Sequence, residues 1–378
     1  MNTFFTKLKA IVGDRSLRNR ILMALGIIAI FRLLSAIPVP GVNQAALTQY
    51  LADSEFLGFL NIFAGGGLSI LSIVMLGVGP YITASIIMQL ATVLSPRLKS
   101  MATEEGDYGR KKIAQYSRLM TIPLAFIQGF SFIVLLQKQG IVSSLSQFDT
   151  LVTLFVIVAG SMLLMWLGEV MTEFGIGNGV SMIIFAGIVS RLPSAIATLR
   201  LNYDPSMITT YLLFLIVGAL TIYFVVYITE AERSIPVTYA KQMRGNKMYG
   251  GSSSYLPLRL NQSGVMPIIF ALSILVFPRM ILSVLTYTQW PWVAPAANFV
   301  NGVLANQLFY GIFYFLLVFL FTFFYTAVTF DPHAISENLQ KSGAFIPGVR
   351  PGESTTTYLG MLLTRIPRLA AFTLVFCS

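Results

Sequence analysis

The hydrophobic stretch between residues 59 and 94 starts, breaks at Ala64-Gly65-Gly66-Gly67, and restarts as an apolar run from Leu71 to Leu94. The first piece, Phe59-Leu60-Asn61-Ile62-Phe63, falls far short of the about 20 apolar residues that a helix needs to cross a bilayer. Three consecutive glycines also disfavour a helix running through the break. The first piece therefore enters a membrane only partway. Non-helical backbone at membrane depth is tolerated only inside protein or against a watery cavity, so a chain with such a segment encloses a cavity of its own. The plainer alternative is a re-entrant packing element.

The rest of the chain supports the membrane reading. Of 378 residues, 56% are hydrophobic and only 11% charged, and mean hydropathy is +0.76, which no soluble core explains. Hydropathy marks spans near 21–38, 71–94, 119–137, 151–168, 176–190, 207–229, 260–278 and 307–330, each with at most one charge. A ninth begins near Leu369, and the chain stops inside it at Ser378. Basic residues cluster on one side of these spans. Lys7, Lys9, Arg15, Arg18 and Arg20 precede the first, Arg97 to Arg118 follow the second, Arg233 to Arg259 follow the sixth, and Lys341 to Arg368 follow the eighth. Only Lys138, Arg191, Arg200 and Arg279 fall on the other side, so the basic side is cytoplasmic and the net charge of +10 reflects topology, not nucleic-acid binding.

The run from Phe4 to Arg20 is amphipathic and basic, as a membrane-surface helix is. Two cytoplasmic loops stand out, 230–259 and 331–366. The first contains Thr238-Tyr239-Ala240-Lys241, Arg244-Gly245-Asn246-Lys247 and a Gly250-Gly251-Ser252-Ser253-Ser254 stretch that reads as a hairpin or a flexible tip. The second carries prolines and glycines between Gly343 and Gly352 that force an extended, turned path around Arg350.

Chemistry is sparse. No Asp or Glu lies at the middle of a span, which disfavours proton or ion coupling there. The glycine runs lack the Gly-Lys-Ser/Thr of a phosphate loop, His333 is the sole histidine where a zinc motif needs two, and Cys377 is the sole cysteine. Enzyme, cofactor and metal are all unexpected. A secondary transporter, built from inverted repeats and broken helices, remains open as the competing class.

Several motifs stand in order: Arg32-Leu33 through Ile37-Pro38-Val39-Pro40-Gly41, Asn61-Ile62-Phe63-Ala64-Gly65-Gly66 and Leu76-Gly77-Val78-Gly79-Pro80-Tyr81-Ile82-Thr83 with Ala84-Ser85-Ile86-Ile87. Tyr108-Gly109-Arg110-Lys111-Lys112-Ile113, Met165-Trp166-Leu167-Gly168-Glu169 with Gly175-Ile176-Gly177-Asn178-Gly179, and Lys341 to Gly352 complete the set. Together they resemble the SecY family, the channel subunit of the bacterial Sec protein translocon. The resemblance implies an all-α polytopic inverted-repeat bundle of ten spans in two halves of five. Here that means residues 1–20 as the cytoplasmic N-terminal segment, 21–190 as the first half, and 207–378 as the second, with eight full spans and the start of a ninth.

It also implies roles. A plug helix near 61–72, including Asn61, Ile62, Phe63, Ala64, Gly65, Gly66, Gly67 and Leu68, would seal the outer funnel. Val78, Ile82, Val180, Ile184 and Ile269 would form an aliphatic pore ring; the spacing of four places Val78 with Ile82, and Val180 with Ile184, on common helix faces. Gln89 and Asn261 would sit at a lateral gate, where a polar contact contributes about 0.6–2 kcal/mol. Lys241, Arg244, Lys247 and Arg350 would dock the SecA motor or the ribosome. The implied partners are SecE, SecG, SecA, the ribosome, preprotein signal sequences and membrane lipids, with ribosomal RNA the only nucleic acid. The implied location is the bacterial cytoplasmic membrane, N-terminus inside.

Overall fold

The computed structural model describes residues 13–39, 46–47, 61, 66–103, 105–138, 140–142, 146–239, 242–244, 247–249, 253–259, 264, 266–285, 293–329 and 332–362. Asp14 opens α1 (Arg15–Ser35): its carboxylate accepts the Ser16 N–H at 2.9 Å, capping an otherwise unsatisfied donor. The helix ends at Ala36, short of Pro38.

The apolar run 71–94, expected as one span, is helical only from Gly79. Helix α2 (Gly79–Leu94) has 16 residues, with Pro80 in its first turn. Residues 66–78 form successive turns, so the helix expected near 61–72 is not formed over its described 66–72 portion, although Asn61 itself is helical. The cause is backbone geometry. Gly66 (φ 84°), Leu71 (φ 49°) and Gly77 (φ 59°) all lie in the left-handed region, where an α-helix cannot continue. The turns pair several of their own backbone groups: Ser69 N–H donates to Gly66 O, Leu71 to Leu68, Met75 to Ser72 and Gly77 to Val74. Val39 N–H donates to Leu71 O at 2.8 Å and Ile73 N–H to Ile37 O at 3.1 Å, so the segment also pairs with the chain leaving α1.

The next elements are α3 (Pro96–Thr103), α4 (Gly106–Lys138), α5 (Gln147–Phe174), α6 (Gly179–Val189) and α7 (Leu192–Leu201). The fifth span therefore runs beyond the expected 176–190, with a break at Ser190–Arg191 before α7. Helix α8 (Ile208–Glu230) leads to β1 (Glu232–Tyr239), β2 (Gln242–Arg244), β3 (Lys247–Tyr249) and β4 (Ser253–Arg259). Then come α9 (Met266–Leu285), the unanticipated α10 (Val293–Ala305), α11 (Gln307–Thr329), α12 (Pro332–Lys341), β5 (Ala344–Phe345) and a helical stretch at 353–362. Among the described residues five helical segments are long and apolar enough to cross a membrane: Gly106–Gln137, Gln147–Phe174, Gly179–Leu201, Pro205–Glu230 and Leu308–Thr326. Gly79–Leu94 and Met266–Leu275 are apolar but shorter, and α1 carries Arg18, Arg20 and Arg32. The expected span from Leu369 lies outside the described residues.

The chain divides into two compact units. Met1–Tyr203 with Phe277–Val300 holds two apolar clusters, and the turn segment feeds both: Leu68, Leu71 and Met75 pack with α4 and α5 residues such as Phe132 and Ile157, while Val74 and Val78 pack with Phe31, Leu164 and Met171. Its backbone meets α5 directly, since a Cβ on Gly160 would overlap the Ile73 carbonyl oxygen. In the second unit, Asp204–Val276 with Asn301–Ser378, Phe270 of α9 stacks edge-on against Phe321 and Tyr325 of α11.

The sheet in this second unit, ordered β4-β1-β5, joins the two long polar loops. Alternation drives it: Ile235 and Val237 of β1 are buried between exposed neighbours and, with Leu258, Ile346 and Leu359, Ile235 forms a small core.

Because Gly160 admits the Ile73 carbonyl, Gly160→Ala is expected to lower stability by about 1–3 kcal/mol. Gly218→Ala, where nothing lies within 4 Å, is expected to be neutral or slightly stabilising. Thermal unfolding in detergent compares them; equal stability of the two variants would refute the close approach.

Candidate functional site

Val180 and Ile184 owe their positions to the connection between α5 and α6. Gly177 takes φ 68°, reversing the chain, and Asn178 caps α6 by accepting the Ser181 N–H at 3.1 Å. A Cβ on Gly179 would overlap the Gly168 carbonyl oxygen, so the two helices meet backbone to backbone. Thr172 locks the junction: its hydroxyl donates to Gly168 O at 2.8 Å and accepts the Gly179 N–H at 2.8 Å. Val180, one residue on, packs over Gly168.

Val78 closes the turn segment at the N-cap of α2, and its carbonyl accepts the Ile82 N–H at 3.0 Å. Val78, Ile82, Val180 and Ile184 belong to one apolar cluster with Ile27, Phe31, Leu164, Leu167, Met171 and Ile183. Val78 is only 3% exposed and is packed into the cluster, whereas Ile82, Val180 and Ile184 are half-buried. Ile269 lies on α9 in the second unit, also half-buried, its carbonyl accepting the Ser273 hydroxyl at 2.9 Å. Branched aliphatic groups of this kind offer no ligand to an ion or a peptide; they exclude water.

Of the residues expected in a plug, Asn61 is buried and ties the turn segment to itself: its backbone carbonyl accepts the Gly66 N–H at 2.8 Å and its side-chain oxygen the Ser69 N–H at 3.2 Å. Gly66 and Gly67 lie in the turn run and Leu68 is buried there. Ile62, Phe63, Ala64 and Gly65 lie outside the described residues.

Gln89, assigned to the gate, is half-buried on α2, and Asn261 lies outside the described residues. The polar contact that residue patterns missed is Arg118 with Glu169, Nε to Oε1 at 2.5 Å, which clamps α4 to α5 at a separation of 51 residues in the chain. A sequence signal did exist: each is a charge at the end of an apolar run.

Among the docking candidates, Lys241 lies outside the described residues. Arg244 and Lys247 are directly opposite across the β2–β3 pair, a register that places two cations at the hairpin tip. Arg350 is exposed on a fixed loop: its carbonyl accepts the Thr355 hydroxyl at 2.9 Å, Gly352 O accepts the Ser336 hydroxyl at 2.8 Å, and Gly348 and Gly352 have φ of 84° and 96°. Nearby, a hydrogen bond from Lys341 at 2.8 Å and its positive charge hold the Glu337 carboxyl below its usual pKa.

A family model described as SecY matches residues 72–378. Protein translocase subunit SecY of Escherichia coli (strain K12) is 40% identical over 374 residues, covering 96% of this chain and 83% of that protein. The subunit of the same name from Aquifex aeolicus (strain VF5) is 39% identical over 369 residues, covering 95% and 85%. Among solved structures, that of a protein conducting channel aligns over 97% of this chain and 85% of its own at a TM-score of 0.65 and 17% identity. The fold is therefore that of a helical protein-conducting channel. The chain belongs to the SecY family.

Thr172→Val removes the acceptor of the Gly179 N–H and is expected to cost about 1–3 kcal/mol, as for a buried donor left unmade. Thr172→Ser keeps the hydroxyl and is expected to match the parent. Thermal unfolding of both variants checks this; a stable Thr172→Val protein would show that the threonine does not hold the junction.

Proposed function

We propose that this chain is the central pore-forming subunit of a protein-conducting channel, passing unfolded preproteins across the bacterial cytoplasmic membrane and releasing hydrophobic segments sideways into lipid. Membership of a family of protein translocase subunits supports this reading. The observation that carries it is the aliphatic cluster of Val78, Ile82, Val180 and Ile184 beside a re-entrant turn segment. In our reading Ile269 is the ring member contributed by the second half, 207–378. Segment 61–72 acts as the plug above it. A ring of this chemistry closes around a passing chain without binding it and resists ions by dewetting.

The distribution of lysine and arginine supports an N-terminus on the cytoplasmic side. On that side the two long loops carry Lys241, Arg244, Lys247 and Arg350, which we assign to docking of cytosolic partners. SecA and the ribosome are our assignments, and a solved relative in fold, the idle yeast Ssh1 complex bound to the yeast 80S ribosome, supports the second; it has a TM-score of 0.65 at 14% identity, over 95% of this chain and 83% of its own. SecE and SecG are the companion subunits, signal sequences enter at the gate near Gln89 and Asn261, and the chain performs no catalysis of its own.

Two measurements test these roles. Replacing Ile82 and Ile184 together with glycine is expected to open a resting ion leak in reconstituted bilayers that the parent lacks; unchanged resting conductance, with residues 62–70 also deleted, would remove the ring assignment. Arg350→Glu is expected to block motor-driven export of a preprotein while leaving expression and SecE association intact. Arg350→Lys should be intermediate, because lysine lacks the planar fork that pairs two oxygens at once. Normal export by Arg350→Glu would return the loop to a purely topological role.

A further inference from the structure

Two buried hydroxyls flank the close backbone contact between the turn segment and α5. Ser72 precedes Ile73, whose carbonyl oxygen occupies the space a Cβ on Gly160 would need, and Ser161 follows Gly160. Ser72 is 0% exposed and Ser161 1%. Neither Oγ has a hydrogen-bond partner among the described residues. Other buried hydroxyls of this protein escape that cost by donating to the carbonyl four residues back: Thr121 to Ser117, Thr322 to Val318 and Thr326 to Thr322, at 2.7–2.8 Å. Ser161 does not make the corresponding bond to Ile157.

A hydroxyl hidden from water without a partner makes a contact weaker than its apolar packing alone would be. Leu71, one residue before Ser72, adds the cost of a left-handed backbone at φ 49°. On its other side the same segment has room. Gly66, Ser69 and Ile70 line a cavity of about 600 Å³ whose further walls include Ser35 at the end of α1 and Arg191 at the α6–α7 break. The hydroxyl on that side is paired, since Ser69 donates to Gly66 O at 2.7 Å. The unpaired hydroxyls thus lie at the joint with α5 and not on the cavity wall.

We propose that Ser72 and Ser161 set the strength of this joint: their unpaired hydroxyls hold residues 66–78 against α5 more weakly than apolar residues would, so that the segment parts from α5 at modest cost. Both hydroxyls gain hydrogen bonds when it does, and that gain is what an apolar residue forgoes. The proposal rests on the reading of 61–72 as a plug, and it assigns the two serines control of the plug's release. They are positioning residues, acting through the segment and not on the passing chain.

Hydrogen–deuterium exchange of the purified protein in lipid nanodiscs reads the joint directly. Ser72→Ala and Ser161→Ala are each expected to slow exchange of the amides in 66–78 about tenfold, as for removal of a buried unpaired hydroxyl, with the amides of α8 unchanged. Ser69→Ala removes a paired hydroxyl and is expected to leave exchange unchanged or to speed it. The Ser72→Ala and Ser161→Ala proteins should also export a preprotein more slowly than the parent, and this difference should vanish when residues 62–70 are deleted. Exchange in both alanine variants as fast as in the parent, or equally slowed by Ser69→Ala, would overturn the proposal. Slower exchange with unchanged export would overturn the control assigned to the serines. Resting conductance of the protein lacking residues 62–70 tests the plug reading separately: a leak is expected, and its absence would show that the plug reading, and not the weak joint, is at fault.

Discussion

Everything in the first unit depends on a stretch of backbone that is not helical and yet is buried. Apolar side chains alone could hide residues 66–78, but their N–H and C=O groups also need partners where no water reaches. The segment meets that demand with a chain of short turns closed on themselves, two bonds to residues 37–39, and a carbonyl set against Gly160. Glycine is required on the α5 side because any side chain would hold the strands of packing apart. Gly66 and Gly77 adopt the left-handed conformation without strain, whereas Leu71 holds it at a local cost that the surrounding packing sustains.

From that contact the candidate site follows. Val74 and Val78 leave the turns pointing into the cluster shared with α5 and α6, and Val78 sets the start of α2 and so the position of Ile82. On the other side, the glycine contact between α5 and α6 fixes Val180 and Ile184. Two glycine approaches, at Gly160 and Gly179, thus bring four aliphatic residues into one cluster from opposite directions. Rigid positioning by small residues with aliphatic groups at the tip is a design suited to a seal, which needs shape and dryness and no ligand chemistry. The sheet is built on a different principle, period-two burial of Ile235 and Val237 with Ile235 packed in one cluster with Leu258, and it joins the two long loops.

Sequence pattern made the long spans legible because α4, α5, α8 and α11 are continuous apolar runs, and hydropathy measures that directly. It misplaced the start of α2 for the same reason: Leu71 to Val78 are apolar because they are buried, and hydropathy cannot separate buried turns from helix. The break at Ala64–Gly67 was visible as glycine, while the left-handed Leu71 carried no residue signal at all. Val180 and Ile184 could be paired by their spacing of four, but the strand pairing of Thr238 with Phe345 links residues too far apart for any local pattern. Arg191 shows in sequence only its charge, because Arg32 and Gly66 reach its neighbourhood through the fold and not through local pattern.

The central claim is that Ile82 and Ile184 face the path of a passing polypeptide. Site-specific photocrosslinking from each position to a preprotein stalled in transit tests it most directly, with Leu213 on the exposed face of α8 as the reference. Adducts are expected from Ile82 and Ile184 and none from Leu213. Adducts confined to lipid, or equal yields at all three positions, would contradict it.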